Sequence, residues 1–242
     1  MDSDLYIIFL LFMIGTCMGS FLSCLSFRLI RKQDWLFSRS CCQYCGHLLG
    51  FLDLIPVFSY LFLKGRCRYC HHKLDREMFI SELGSALVFV LTYLKHGGID
   101  LFLVRDLILF SALIGLSMVD EKTYLIPDGF VIAGIINWFL SLIFMENIKD
   151  HLIRGLGSAL FLSGLIFLMY LGMKLLCDKE GIGGGDIKLL FMVGLYLDLY
   201  KGSLVLLISS LLGIIRILKN KKRMIAFGPC IALACFIVII LG

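Results

Sequence analysis

Apolar residues run along this chain in long blocks rather than alternating with polar ones, and the blocks have the length a bilayer demands, about 20 residues per helix. Reading for that length predicts spans near residues 5–27, 78–96, 101–119, 129–146, 152–173, 187–201, 203–218 and 224–241. The expected fold is an all-α polytopic membrane protein of about eight transmembrane helices. The sixth span is the weakest, being short and carrying Lys188 and Asp198. Pro56, Pro127 and Pro229 fall between or at the edges of the blocks, so no helix is broken from within. Residues 1–27 are expected to form a first transmembrane helix, 28–77 a small polar loop domain, and 78–242 a membrane-embedded helical bundle.

Composition excludes a soluble domain: 60% of residues are hydrophobic and 17% charged, against roughly half and a quarter in soluble proteins. The first block does not read as a cleavable signal, because its flank is acidic (Asp2, Asp4) and the basic residues Arg28, Arg31 and Lys32 follow it. The positive-inside rule then puts the amino terminus outside and the loop 28–77 in the cytoplasm. On the eight-span map only Lys95, Lys149, Arg154 and Lys201 face outward, with Arg105 inside the third span. Merging 187–218 into one crossing would export the basic run 219–223, so two crossings are expected there. That run reads as a topology determinant or a contact with anionic membrane lipid. Arg105 and Asp106 are expected to snorkel as an interfacial pair at the outer end of the third span. Nothing in the chain points to nucleic acid, and the oligomeric state is not readable.

Ten cysteines fall into two groups. Cys17, Cys24, Cys177, Cys230 and Cys235 lie in or beside apolar blocks and read as small hydrophobes. The rest cluster in the first loop as Cys41-Cys42-Gln43-Tyr44-Cys45 and Cys67-Arg68-Tyr69-Cys70. Two CxxC knuckles predict a tetrahedral zinc site made by Cys42, Cys45, Cys67 and Cys70, with Cys41 one residue out of register. Four thiolates leave no position open for water, so the role is structural, in a loop too small to be stable without a staple. His47, His71 and His72 are expected to be solvated or to sit behind the ligands. The apolar stretch 51–61 is too short to span; it either lies along the membrane or packs on the zinc module.

The candidate chemistry lies in two aspartates at block ends. Asp120 closes the third span, and Asp186 follows Gly183, Gly184 and Gly185; these glycines would let the backbone approach a bound peptide closely. On the map both carboxylates fall at the cytoplasmic ends of helices. Two carboxylates held close cannot both ionise readily, so one keeps its proton while the other activates a shared water, the arrangement of an aspartic protease. Asp128, after Pro127, is an alternative catalytic carboxylate, but its position suits a helix start. A rival reading, a membrane transporter or zinc-binding scaffold, would use the aspartates for ions or protons and predicts them near the bilayer midplane.

The chain resembles the bacterial type IV prepilin peptidase and N-methyltransferase family of GxGD membrane aspartic proteases. The resemblance rests on Gly19-Ser20-Phe21-Leu22, Arg28-Leu29, the two CxxC pairs, Asp53-Leu54-Ile55-Pro56, Ser59-Tyr60-Leu61 and Gly65-Arg66-Cys67-Arg68. It continues through Glu82, Asp120, Ile126-Pro127-Asp128, Lys179-Glu180-Gly181, Gly183-Gly184-Gly185-Asp186-Ile187-Lys188-Leu189 and Phe227-Gly228-Pro229. It implies cleavage of prepilins or pseudopilins after a glycine ending a short basic leader, at the cytoplasmic face of the inner membrane, with Asp120 and Asp186 as the catalytic pair. It also implies methylation of the new amino terminus from S-adenosyl-L-methionine, a step linked to the first loop. Departures at Ser23, Ile30, Gln43, Met78-Phe79 and Ala226 touch neither aspartate nor any of the four knuckle cysteines. No Gly-rich cofactor loop stands out in residues 28–77.

Overall fold

A computed structural model describes residues 2–32, 40–42, 44–177, 183–220 and 224–242. Gln43, Lys179-Glu180-Gly181 of the family pattern and residues 221–223 of the basic run lie outside the described residues. The chain is helical, with no strands among the described residues: α1 (Asp2–Ile30), a 3₁₀ turn (Phe51–Leu54), α2 (Phe58–Phe62), α3 (Arg76–His96) and α4 (Leu101–Thr123), then α5 (Asp128–Leu142), α6 (Ile148–Cys177), α7 (Gly184–Tyr196), α8 (Leu199–Asn220) and α9 (Gly228–Leu241). Every predicted span carries a helix, but among the described residues only α1, α3, α4, α6 and α8 are long and apolar enough to cross a bilayer by themselves. The apolar helices α5 and α9 are shorter, and α7 has 13 residues.

The break between the sixth and seventh blocks falls earlier than apolarity predicts. α7 ends at Tyr196, and the Asp198 carboxylate accepts the Lys201 N–H at 2.8 Å, starting α8. A capping aspartate inside an apolar run sets this boundary, and hydropathy averages over it.

Contacts divide the chain into two compact units, Met1–Gly98 and Ile99–Gly242. In the first, α1 packs along α3. Gly15 and Gly19, one turn apart on the same face, admit this approach. A Cβ on Gly15 would stand 2.6 Å from Ala86 Cα, and one on Gly19 2.5 Å from the Ser81 carbonyl oxygen. The Ser81 hydroxyl donates to the Gly19 carbonyl at 3.1 Å. Two small residues four apart are a common device for bringing membrane helices together. On the neighbouring turn, the buried Glu82 carboxylate accepts the Val57 N–H at 2.7 Å. Val57 has φ 62° and ψ −53°, and Phe58 N–H reaches back to the Pro56 carbonyl at 2.6 Å. This is a γ-turn of the strained hand, and the Glu82 carboxylate engages it at its centre.

In the second unit α4 packs on α5 and α9, and α6 lies along α7 with α8 beside it. Leu109, Leu113 and Leu116 of α4, Leu189 and Met192 of α7 and Ile231 of α9 are fully buried. Gly194 of α7 backs onto Ala159 of α6, where a Cβ would stand 2.6 Å from Ala159 Cα. Arg105 and Asp106 do not snorkel. Asp106 is 3% exposed and accepts from Arg105 Nε at 2.9 Å, while the guanidinium lies over the rings of Phe102 and Tyr196. The Asn137 side-chain NH₂ donates to the Arg105 carbonyl at 2.9 Å and to the Tyr196 hydroxyl at 2.8 Å. Tyr196 in turn donates to the Gly134 carbonyl at 2.6 Å. These partners on α5 and α7 draw the pair inward.

Replacing Gly19 by Leu should separate α1 from α3, because the new side chain meets backbone that cannot rotate away. The expected cost is about 1–3 kcal/mol, read as a lower midpoint for thermal unfolding in detergent, with Gly84→Ala, where a Cβ meets nothing within 4 Å, leaving it unchanged.

Candidate active site and metal centre

Asp120 sits in the last turns of α4 and is 4% exposed. The helix stops just beyond it, where Tyr124 adopts the left-handed conformation (φ 55°) and returns its N–H to the Asp120 carbonyl at 2.8 Å. The Asp120 carboxylate Oδ2 accepts the Gly228 N–H at 2.8 Å. Gly228 opens α9 with a proline beside it, and a Cβ at that position would stand 2.7 Å from Oδ2. No other residue permits the contact without displacing the carboxylate.

Asp186 lies in the first turn of α7. The segment after Asp120 carries Ile126 against Gly185, where a Cβ would lie 3.1 Å from Ile126 Cβ. This contact ties the turn that carries Asp186 to the segment that follows Asp120. Of the three glycines proposed for close backbone approach, Gly185 meets Ile126 and Gly183 faces the Asp186 carboxylate itself, while a Cβ on Gly184 would meet nothing within 4 Å. Asp128 stands in the first turn of α5 as expected, and its carboxylate accepts the Lys188 ammonium at 2.6 Å. Beside the pair, Arg216 of α8 engages Glu121 and approaches the Ala226 carbonyl. The C-terminal ends of α4 and α8 and the N-terminal ends of α5, α7 and α9 therefore gather at one end of this unit. Two buried or partly buried carboxylates with one hydrogen-bond donor between helices can hold a water and divide one proton between them.

In the first unit, the Sγ atoms of Cys42, Cys45, Cys67 and Cys70 all lie within 4.8 Å of one another, and Cys42 and Cys70 are 3.9 Å apart. A tetrahedron of sulfurs at the usual zinc distance has edges of roughly 3.8 Å, so the four residues fit the ion as they stand. Burial opposes ionisation of Cys42, but N–H groups of Cys45 and Tyr44 and the thiols of Cys45 and Cys67 outweigh it and hold this thiol down to about 7. At Cys70 the His72 N–H favours the thiolate, yet desolvation and the other three sulfurs push it up to about 11. Near neutral pH the first thiolate forms easily, and a cation among the sulfurs would favour ionisation of the last.

The two knuckles are copies of one another. Cys42 N–H bonds the His47 carbonyl and Cys67 N–H the His72 carbonyl, both at 2.9 Å. Gly46 and His71 take the same left-handed conformation (φ 69° and 55°), and each half closes with one bridge, Cys41 to Leu48 and Arg66 to Lys73. Tyr44 stacks on His72 at 3.4 Å and Tyr69 on His47 at 3.6 Å, so each half supplies the ring that covers the other half's histidine. The stretch 51–61 reaches the module through Asp53, which pairs with Arg68 at 2.8 Å and accepts the Gly50 N–H at 3.1 Å.

Residues 13–96 match the family model described as Bacterial Peptidase A24 N-terminal domain, and residues 107–218 match that of the Type IV leader peptidase family. Three relatives named prepilin leader peptidase/N-methyltransferase are similar along most of the chain. That of Myxococcus xanthus is 31% identical over 84% of this chain and 60% of its own. That of Aeromonas hydrophila is 30% identical over 84% and 72%, and that of Pseudomonas putida 29% over 98% and 91%. No solved structure matches the chain.

The metal centre makes a pH-dependent expectation. Ligand thiols must lose protons to bind zinc, so one equivalent per chain should be retained near neutrality and lost as acid reprotonates the four sulfurs. Elemental analysis of protein dialysed at stepped pH measures it, with Cys45→Ser, Cys67→Ser and Cys70→Ser each expected to abolish the equivalent.

Proposed function

We propose that this chain, which belongs to the type IV leader peptidase family, is a membrane aspartic endopeptidase that removes the leader from prepilin-like proteins. The reaction takes place at the cytoplasmic face of the bacterial inner membrane, with the amino terminus outside and about eight crossings. One observation carries the reading. Asp120 and Asp186, far apart in the chain, stand in the last turn of α4 and the first turn of α7, where five helix ends converge. A transporter reading would prefer carboxylates in the middle of helices, and these stand in the last and first turns of theirs.

In the reaction the pair shares one proton. The ionised carboxylate takes a proton from the bridging water as it attacks the scissile carbonyl, and the protonated one donates to the developing oxyanion. The leaving amine then departs with a proton from the pair. Gly228 N–H holds Asp120 in place throughout. Gly184, open on its Cβ side, is the glycine of the three beside which a peptide backbone can run.

The name of the relatives couples this step to N-methylation. S-adenosyl-L-methionine would supply the methyl group; the cavity of the first unit, lined among others by Asp53, Tyr60, Phe79 and Glu82, offers about 120 Å³ and as it stands admits only part of such a donor. Tyr60 and Phe79 are stacked at 4.8 Å and give the cavity an aromatic wall, while Asp53 is engaged by Arg68 and Glu82 by the Val57 N–H. The zinc module borders the same cavity through Cys42 and Cys67, so its role there is to hold the walls.

Two measurements test the proposal. With purified protein and a substrate pilin in detergent, Asp120→Asn and Asp186→Asn should each lower the cleavage rate on the order of 10⁴-fold, read by mass spectrometry of the pilin amino terminus. Wild type with the methyl donor should add one methyl mass to the product, and retained cleavage in both variants would reject the pair. Gly228→Ala should lower kcat on the order of 100-fold, with the protein still monodisperse and zinc-loaded.

A further inference from the structure

Within the second unit, α6 lies along α7 and α5 touches α7, yet α5 and α6 meet only briefly. A cleft of about 480 Å³ opens between them with α7 as its floor. Its volume falls within the roughly 300–1,000 Å³ at which proteins hold bound groups. Val131, Ile132 and Ile135 of α5, Ser163 of α6 and Ile187 and Phe191 of α7 line it. At one end stand Asp128 and Lys188, paired at 2.6 Å and both more than half exposed. Ile187 directly follows Asp186, and Phe191, one turn further, lies on the same face of α7. The cleft therefore runs from charged to apolar, beginning beside the proposed catalytic carboxylate.

We propose that the substrate carries an apolar segment just beyond its leader and that this cleft receives it, seated along α7 with its leader-proximal end at Asp186 and its flanking charges against Asp128 and Lys188. The inference rests on the peptidase reading and names where the substrate lies. A phospholipid also joins an apolar tail to a charged head; what favours the substrate is that the wall residue Ile187 directly follows Asp186, so the charged mouth lies at the residue where the scissile bond must be.

The test uses the full chain in nanodiscs, inactivated by Asp186→Asn so that substrate persists, with the photo-reactive residue p-benzoylphenylalanine in place of Ile132. The comparison site is Leu207 of α8, similarly exposed (57% against 53%). Full-length pilin should cross-link from position 132 at about five times or more the yield from 207, with adducts mapping to its apolar segment. Equal yields, or adducts to phospholipid only, would overturn the assignment. In the active protein, Ile132→Trp should raise KM for full-length pilin about tenfold, or roughly 1.4 kcal/mol, at unchanged kcat, and leave cleavage of a leader peptide lacking the apolar segment as it was. An unchanged KM for full-length pilin also overturns it. If wild type cleaves no pilin at all, the peptidase reading is rejected, while the cross-link still decides what occupies the cleft.

Discussion

A carboxylate drawn below the surface of a helical bundle needs a donor that does not move, and Asp120 finds one in the backbone amide of Gly228. A side-chain donor could rotate away; this one is fixed by the start of α9. The glycine leaves room for the contact as it stands, since a Cβ at residue 228 would lie 2.7 Å from the carboxylate oxygen and displace it. Buried polar groups without partners are costly, so this bond joins the end of α4 to the start of α9 and sets where the other helix ends must come.

α4 and α7, which carry the two aspartates, barely touch each other. They are held by intermediaries: α5 and α9 pack against both. At the end away from the carboxylates, Asn137 of α5 bonds α4 through the Arg105 carbonyl and α7 through the Tyr196 hydroxyl. At the near end Ile126 rests on Gly185. The separation of the aspartates is thus a property of the frame around them, as catalytic geometry usually is.

Much of this was legible in the chain because membranes impose simple lengths. The apolar blocks located the helices, the CxxC pairs named the sulfurs that converge, and the position of Asp120 and Asp186 at block ends put them at one end of the bundle. What escaped was decided by single polar atoms. Asp198 moved a helix boundary that hydropathy alone could not see. Asn137 and Tyr196 turned Arg105 and Asp106 inward, although a charged pair near a span end reads as interfacial. Gly15 and Gly19 open α1 to α3, but nothing in the sequence names the helix they meet. The matching of Cys42-Gln43-Tyr44-Cys45-Gly46-His47 with Cys67-Arg68-Tyr69-Cys70-His71-His72 is present in the letters and becomes meaningful only when the second halves are seen to take the same turns.

That duplication has a bearing on how the loop holds together. Each tyrosine lies on the histidine of the opposite copy, so neither copy is complete by itself; the rings interleave like the fingers of two clasped hands. Loosening one grip uncovers a ring in both. The two knuckles, and the wall they lend to the neighbouring cavity through Cys42 and Cys67, are thus tied to one another by rings as well as by sulfurs.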